Sequence, residues 1–334
     1  MRVLYVAMAD DYGKPERGPS FEETNFRGAL DGMGHDVVAF DFMRRMQAVG
    51  KAAMRRELVA AAAEAKPDVA FFCLFTDELD TATIEAVGRE GGCPTVNWFA
   101  DDHWRFDDFS RHMAPAFDLA VTTDADSLPK YEAAGLGEKV LLSQWACNRY
   151  AYGRVDGGPR HEVTFVGQPH GNREEIIQRL VDAGHRVECW GFGWPAGKLD
   201  HDAMVRVFAT SRVNLNLSNS STVAPKTLRA KVGKLLGRGP KGPQPAQIKG
   251  RNFEVPGCGG FLLTERVPHL ERYFELGREV AVYDSTEDLV EQVGYWLSHE
   301  DERVAVAEAG YRRVTAEHTY DHRFDEIFRT VGAA

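Results

Sequence analysis

EVTFVGQPHGNREEIIQRLVDAGHRVECW, residues 162–190, is the stretch whose reading decides the fold. It opens on a short apolar run, 162–167, of the kind that forms a buried parallel strand. A helical period over 174–183 follows, then a Gly184-His185 turn and a second apolar run over 186–190. Strand, helix, turn and strand make one βαβ unit. The same unit has already appeared at the start of the chain. Residues 2–8 read as a strand, 21–33 as a helix, Gly34-His35 as the turn and 37–42 as the second strand. A Gly-His pair closing one helix is an ordinary cap. The whole unit recurring at equivalent places in two halves predicts twin α/β domains.

The rest of the chain extends both units. In the first half, helix 52–65, strand 69–75, helix 79–90, strand 94–99, strand 119–122, helix 128–134 and strand 139–143 follow in order. Such alternation implies a parallel sheet covered on both faces. A composition change follows Arg149, with Gly153, Gly157, Gly158 and Pro159 marking a linker. Beyond the second βαβ unit come helix 200–210, strand 213–217, a Gly- and Pro-rich segment at 224–246 with a short helix at 228–236, and a compact motif at 247–265. Helix 269–274, strand 280–283, helix 286–299 and a final pair of helices complete the chain. Expected domain bounds are 1–150 and 151–315, with residues 316–334 as a helix packing back on the first domain.

Composition narrows the function classes. The chain has 334 residues, 43% of them hydrophobic, and a formal net charge of −10. That balance argues against general nucleic-acid binding, which needs phosphate-neutralising surface. The average conceals a basic island: between Asp202 and Glu254 no acidic residue occurs, whereas ten Lys and Arg do. The loop at 224–246 carries six of them and could clamp a phosphate, meet an anionic acceptor or a membrane surface, or simply stay soluble. Five dispersed cysteines, none in a CxxC, fit a reducing cytoplasm better than a disulfide framework. No apolar run approaches the ~18 residues of a membrane span, and no leader pattern precedes the first strand.

Within QIKGRNFEVPGCGGFLLTE, residues 247–265, Lys249, Arg251 and Glu254 share a short helix, and a Gly257-Cys258-Gly259-Gly260 turn leads into a strand. Glycines allow positive φ and close backbone approach, cations suit an anion, and a carboxylate can grip paired sugar hydroxyls. Lys249, Arg251, Glu254, Gly259 and Gly260 are therefore expected to hold a nucleoside diphosphate with its ribose. A solvated charged helix ending at a glycine cap is the alternative. Gly167 and Arg173 lie in a strand-to-helix loop whose helix start favours an anion. Trp190 and Phe192 follow the next strand and could stack on a base.

The motif at 251–265 and the stretch at 276–320 resemble the C-terminal domain of GT-B glycosyltransferases. The likeness is nearest to the spore-maturation CgeB-like group, within the wider glycosyl transferases group 1. It covers roughly 160–328, and the first half fits the partner domain more loosely. The resemblance implies a GT-B fold, two Rossmann-like domains facing each other across a cleft. It further implies transfer of a sugar from a nucleoside-diphosphate sugar, with Glu254 on the ribose, no metal and no cofactor beyond the donor itself. The retaining members' first glutamate would fall near Arg251, where no carboxylate stands, so inversion and retention both stay open. An inverting transfer needs a base. NWFADDHW sets Asp101, Asp102 and His103 past the fourth strand's carboxyl end, with Asp101 or His103 the expected base. Asp102, Asp11 and Tyr12 are expected on the acceptor side, for a glycan, protein or small molecule. Rival readings are a sugar-nucleotide epimerase or hydrolase of the same fold, and a non-catalytic nucleotide-sugar-binding protein.

Overall fold

The computed structural model describes residues 1–218 and 246–333. The expected basic insertion, apart from Ala246, and the helix expected at 228–236 lie outside the described residues. The chain divides into one unit of Met1–Gln144 with Tyr320–Ala334 and another of Trp145–Thr319.

In the first unit six parallel strands stand in the order β2-β1-β3-β4-β5-β6. They are β1 (Arg2–Ala7), β2 (Asp36–Asp41), β3 (Val69–Phe72), β4 (Thr95–Phe99), β5 (Leu119–Thr122) and β6 (Val140–Leu142). Side chains on a strand alternate between faces. Leu4, Val6, Ala70 and Phe72 enter one core with Leu58, Ala62, Ile84 and Val87 of the helices Lys51–Ala65 and Thr81–Gly91. Tyr5 and Phe71 point the other way and stack at 6.3 Å. There Phe26 meets Phe71 at 5.9 Å and Trp98 at 5.0 Å, while Phe324 of the last helix, Tyr320–Thr330, meets Phe71 at 5.4 Å. Burial on both faces is why β3 reads as an unbroken apolar run.

The helix expected at 21–33 is present with one modification, a π-helical turn at Glu23–Arg27 before the α-helical Gly28–Gly32. A helix at Phe42–Val49, N-capped by Asp41, went unread because it follows β2 without a break.

In the second unit β7 (His161–Val166), β8 (Val187–Trp190), β9 (Ser211–Asn216), β10 (Leu262–Glu265) and β11 (Ala281–Tyr283) are all parallel, ordered β11-β10-β9-β7-β8. Helices Arg173–Asp182 and Thr286–Ser298 cover one face through Ile177, Leu180, Leu289 and Val293. On the other face His201–Thr210, Arg251–Gly257 and Glu300–Glu317 pack through Phe208, Phe253 and Val314. The helix expected at 269–274 is a single 3₁₀ turn, Leu270–Arg272. Counted from its own first strand, the first sheet runs 2-1-3-4-5-6 and the second 2-1-3-4-5, a doubly wound order in which ligands bind beyond the strands' carboxyl ends between the first and third strands. Among the described residues no helix is long and apolar enough to cross a membrane.

Candidate functional site

At the carboxyl edge of the first sheet, the loops after β1, β3 and β4 surround a cavity of about 240 Å³. This is the crossover between β1 and β3. Asp11, Tyr12 and Asp101 line it. Tyr12 takes a left-handed φ of 54° and is half exposed, its ring edge-on to Phe75 at 5.4 Å. Such a conformation is uncommon outside glycine and collects at ligand sites. The Asp11 carboxylate accepts from Arg17 Nε at 2.7 Å.

Asp102 does not join them. Fully buried, it accepts hydrogen bonds from Ser110 Oγ and from Tyr131 Oη at 2.9 Å. Burial pushes its carboxyl above the ordinary value despite those bonds. The acceptor-side role expected of Asp102 is therefore corrected: one turn of helix Asp102–Arg105 carries its side chain inward. His103, on the same short helix, is not among the cavity-lining residues.

Two lining residues escaped the sequence reading. Glu22 precedes the π-helical turn and lies within 3.9 Å of Cys73 Sγ. Burial pushes its carboxyl upward, and the Asp11 and Asp101 carboxylates add to the push. Arg105 donates to the Phe75 carbonyl at 2.5 Å and lies over the Phe109 ring at 4.3 Å. The available signal was position: Glu22 opens the helix that follows the β1 loop, and that edge of the sheet is where ligands bind.

In the second unit the corresponding edge brings Arg173, Lys249 and Arg251 together with the carboxylates of Glu254 and Glu265. Arg173, at the start of its helix, donates through Nη1 to the Gln168 carbonyl at 2.9 Å and through Nη2 to the Leu217 carbonyl at 2.6 Å. It ties the loops after β7 and β9 together, and burial lowers its pKa. Gly167 N–H donates to the Trp190 carbonyl at 2.8 Å, and its own carbonyl accepts from Trp194 Nε1 at 2.8 Å. A Cβ at Gly191 would come within 2.3 Å of that carbonyl. Trp190 is half-buried against His161 at 5.5 Å, whereas Phe192 is exposed beneath the Lys198 ammonium at 5.8 Å.

A buried amide network, also unforeseen, fixes the start of helix Arg251–Gly257. Asn252 Oδ1 accepts from Lys249 N–H at 2.9 Å and from Asn216 Nδ2 at 3.1 Å, and Asn252 Nδ2 donates to Thr264 Oγ1 at 3.1 Å. Lys249 is thereby held beside the ends of β9 and β10. Arg251 lies over the Phe208 ring at 5.0 Å and pairs with Glu254; burial lowers its pKa.

Two expectations for this helix are corrected. Glu254 is fully buried, and its oxygens accept from Arg251 and from Tyr152 Oη at 3.1 Å. With both oxygens taken by protein groups, its ribose grip is not what these contacts provide. The glycine turn is likewise committed. Gly259 N–H donates to the Pro256 carbonyl and Gly260 N–H to the Val255 carbonyl, at 2.8 and 3.1 Å, which is a Schellman cap. Those N–H groups satisfy helix carbonyls and not a diphosphate.

Residues 172–329 match the model of a family described as glycosyl transferase-like. No curated protein matches the sequence. Among solved structures, the chain is similar to Anabaena HepE in complex with UDP and glucose, at 13% identity over 100% of both chains with a TM-score of 0.63. It is also similar to sucrose-phosphate synthase from Thermosynechococcus elongatus, at 10% identity over 99% of each chain and a TM-score of 0.61. A third is AviGT4, a glycosyltransferase of avilamycin A biosynthesis, at 13% identity over 99% of this chain and 97% of that one, TM-score 0.57. Two doubly wound domains of this order are the GT-B architecture. The chain therefore has the GT-B fold, and its residues 172–329 match a glycosyl transferase-like family model.

Proposed function

We propose that the chain transfers a sugar from a nucleoside-diphosphate sugar to an acceptor without a bound metal, the second unit holding the donor nucleotide and the first receiving the acceptor. The observation that supports it is the contrast between two equivalent sheet edges. One gathers Arg173, Lys249 and Arg251; the other surrounds a cavity with Asp11, Glu22 and Asp101. A departing diphosphate needs cations, and an acceptor hydroxyl needs a proton acceptor. In this reading Lys249 and Arg173 face the diphosphate, Arg251 supports them while anchoring Glu254, and Trp190 or Phe192 meets the base. Asp101 takes the proton in preference to His103, because Asp101 lines the cavity. The CgeB-like kinship belongs to the same proposal. So does a reducing, cytoplasmic setting, in keeping with five unpaired cysteines.

UDP is the first nucleotide to test, since HepE was solved with UDP and with UDP-glucose. Titration calorimetry against UDP, GDP, ADP and TDP should show one tight binder. Lys249→Ala should weaken it about tenfold, the loss of one charge-assisted contact. Asp101→Asn should cut turnover by ~10²-fold or more with nucleotide binding unchanged, while His103→Ala should have the smaller effect. A folded protein that binds none of the four would overturn the reading, as would full turnover in Asp101→Asn.

A further inference from the structure

We infer that the cavity of the first unit selects an acceptor made of one sugar-sized ring bearing a protonated amine, with Glu22 and Asp101 setting that preference. This rests on the acceptor role proposed for the cavity and goes beyond it to the acceptor's charge.

Size and walls come first. At about 240 Å³ the space is smaller than typical ligand pockets of ~300–1,000 Å³ and has room for one sugar ring. Tyr12, Phe21, Phe75, Phe99 and Phe109 contribute aromatic surface, which suits the C–H face of a sugar and attracts a cation.

Charge then decides the class. The Asp11 carboxylate is neutralised by Arg17, whose guanidinium also lies 5.0 Å from the Tyr12 ring. Arg105, held by the Phe75 carbonyl and the Phe109 ring, keeps its positive charge, so with Arg17 two guanidiniums stand against the three carboxylates of Asp11, Glu22 and Asp101. Among the described residues no cation pairs with Glu22 or Asp101. An anionic acceptor would meet the carboxylates of Glu22 and Asp101 in a partly open cavity whose carboxylates outnumber its guanidiniums when Glu22 is ionised. A neutral sugar could donate hydroxyl hydrogen bonds to them. An ammonium group would donate charge-assisted bonds, roughly twice as strong as neutral ones.

Glu22 is the sharper selector. Its surroundings are Tyr5 of β1, Asp11, Tyr12 and Ser20 after β1, Cys73 after β3, and Asp101 and Arg105 after β4. Burial and the two neighbouring carboxylates hold a proton on it to higher pH than usual. An arriving ammonium favours the ionised form, so amine binding should release a proton and tighten as pH rises through the Glu22 pKa.

The test titrates the full chain, saturated with its nucleoside diphosphate, with glucosamine, glucose and glucuronic acid. Glucosamine should bind about tenfold tighter than glucose, one charge-assisted bond's advantage, and glucuronic acid should bind more weakly than either. Glu22→Gln should bring glucosamine to within about threefold of glucose and abolish proton release. Unchanged hydrogen-exchange protection across β1, β3 and β4 in the variant certifies the fold of the first unit. Asp101→Asn serves as the second variant should Glu22→Gln not fold. Glucuronic acid binding as well as glucosamine would overturn the inference, as would a preference that survives both substitutions. If none of the sugars binds while the nucleotide still does, the acceptor inference fails and the donor reading stands.

Discussion

Asp101 and Asp102 are neighbours of identical chemistry with opposite surroundings, one lining a cavity and the other sealed against Ser110 and Tyr131. The sequence showed that carboxylates stand at the sheet edge. Which of them faces outward depends on the phase of a four-residue helix, and four residues carry no readable period. The burial of Asp102 has a measurable consequence. Its folded pKa is raised, so between the unfolded value near 4 and the raised one the native state holds a proton that the unfolded chain has released. Its contribution is thus fullest below about pH 4 and is lost as pH rises through the folded pKa. Glu22 acts in the same sense. Urea midpoints across pH 4–8 should therefore fall less steeply in Asp102→Asn than in the parent, with the Glu22 share remaining. Asp102→Ala, which strips the acceptor from two buried hydroxyls, should cost roughly 1–3 kcal/mol at pH 7. An unchanged pH slope in Asp102→Asn would show that the side chain is not held as described.

Among the elements, helix Arg251–Gly257 separates what a pattern reveals from what packing imposes. Its charged residues, its glycine stop and the strand beyond were all legible. The purpose of the glycines was not. Gly259, at φ 74°, supplies the left-handed residue of the Schellman cap, and a Cβ on Gly260 would come within 2.2 Å of the Phe208 backbone carbonyl. Phe208 lies 52 positions upstream of Gly260 in the numbering, so no local pattern could announce that approach. Backbone cannot yield as a flexible side chain does. Gly260→Ala should accordingly destabilise the second unit by about 1–3 kcal/mol, the usual cost of overpacking. Gly158→Ala, where a Cβ meets nothing within 4 Å, should be near neutral. Paired thermal melts would check the contrast. Equal melting temperatures for the two variants would mean that the turn relaxes away from Phe208.

For the molecule as a whole, the fold was legible because alternating strand and helix periods recur in both halves, and buried strands such as β3 are apolar on both faces. The destination of the chain's last turns was legible only as an expected return. The structure gives it atoms: Tyr320, Phe324 and Phe328 of helix Tyr320–Thr330 pack on Phe26, Phe71 and His35 of the first unit. The amphipathic spacing of those aromatics is visible in sequence, yet the partner face is some 250 to 300 residues away and had to be found in three dimensions. Because that helix completes the first unit's core, truncating it there should loosen the first unit and spare the second. Phe324, fully buried between Phe71 and Phe328, is the residue to cut. Phe324→Ala should cost about 3–5 kcal/mol in the first unit, the range for a buried phenylalanine. Hydrogen exchange should then quicken across β1, β3 and β4 while the amides of β7, β9 and β10 keep their protection. Nucleoside-diphosphate affinity should stay within about twofold, because a local stability loss need not reach an independently packed core. Exchange quickening in both units together would instead show that they unfold as one body.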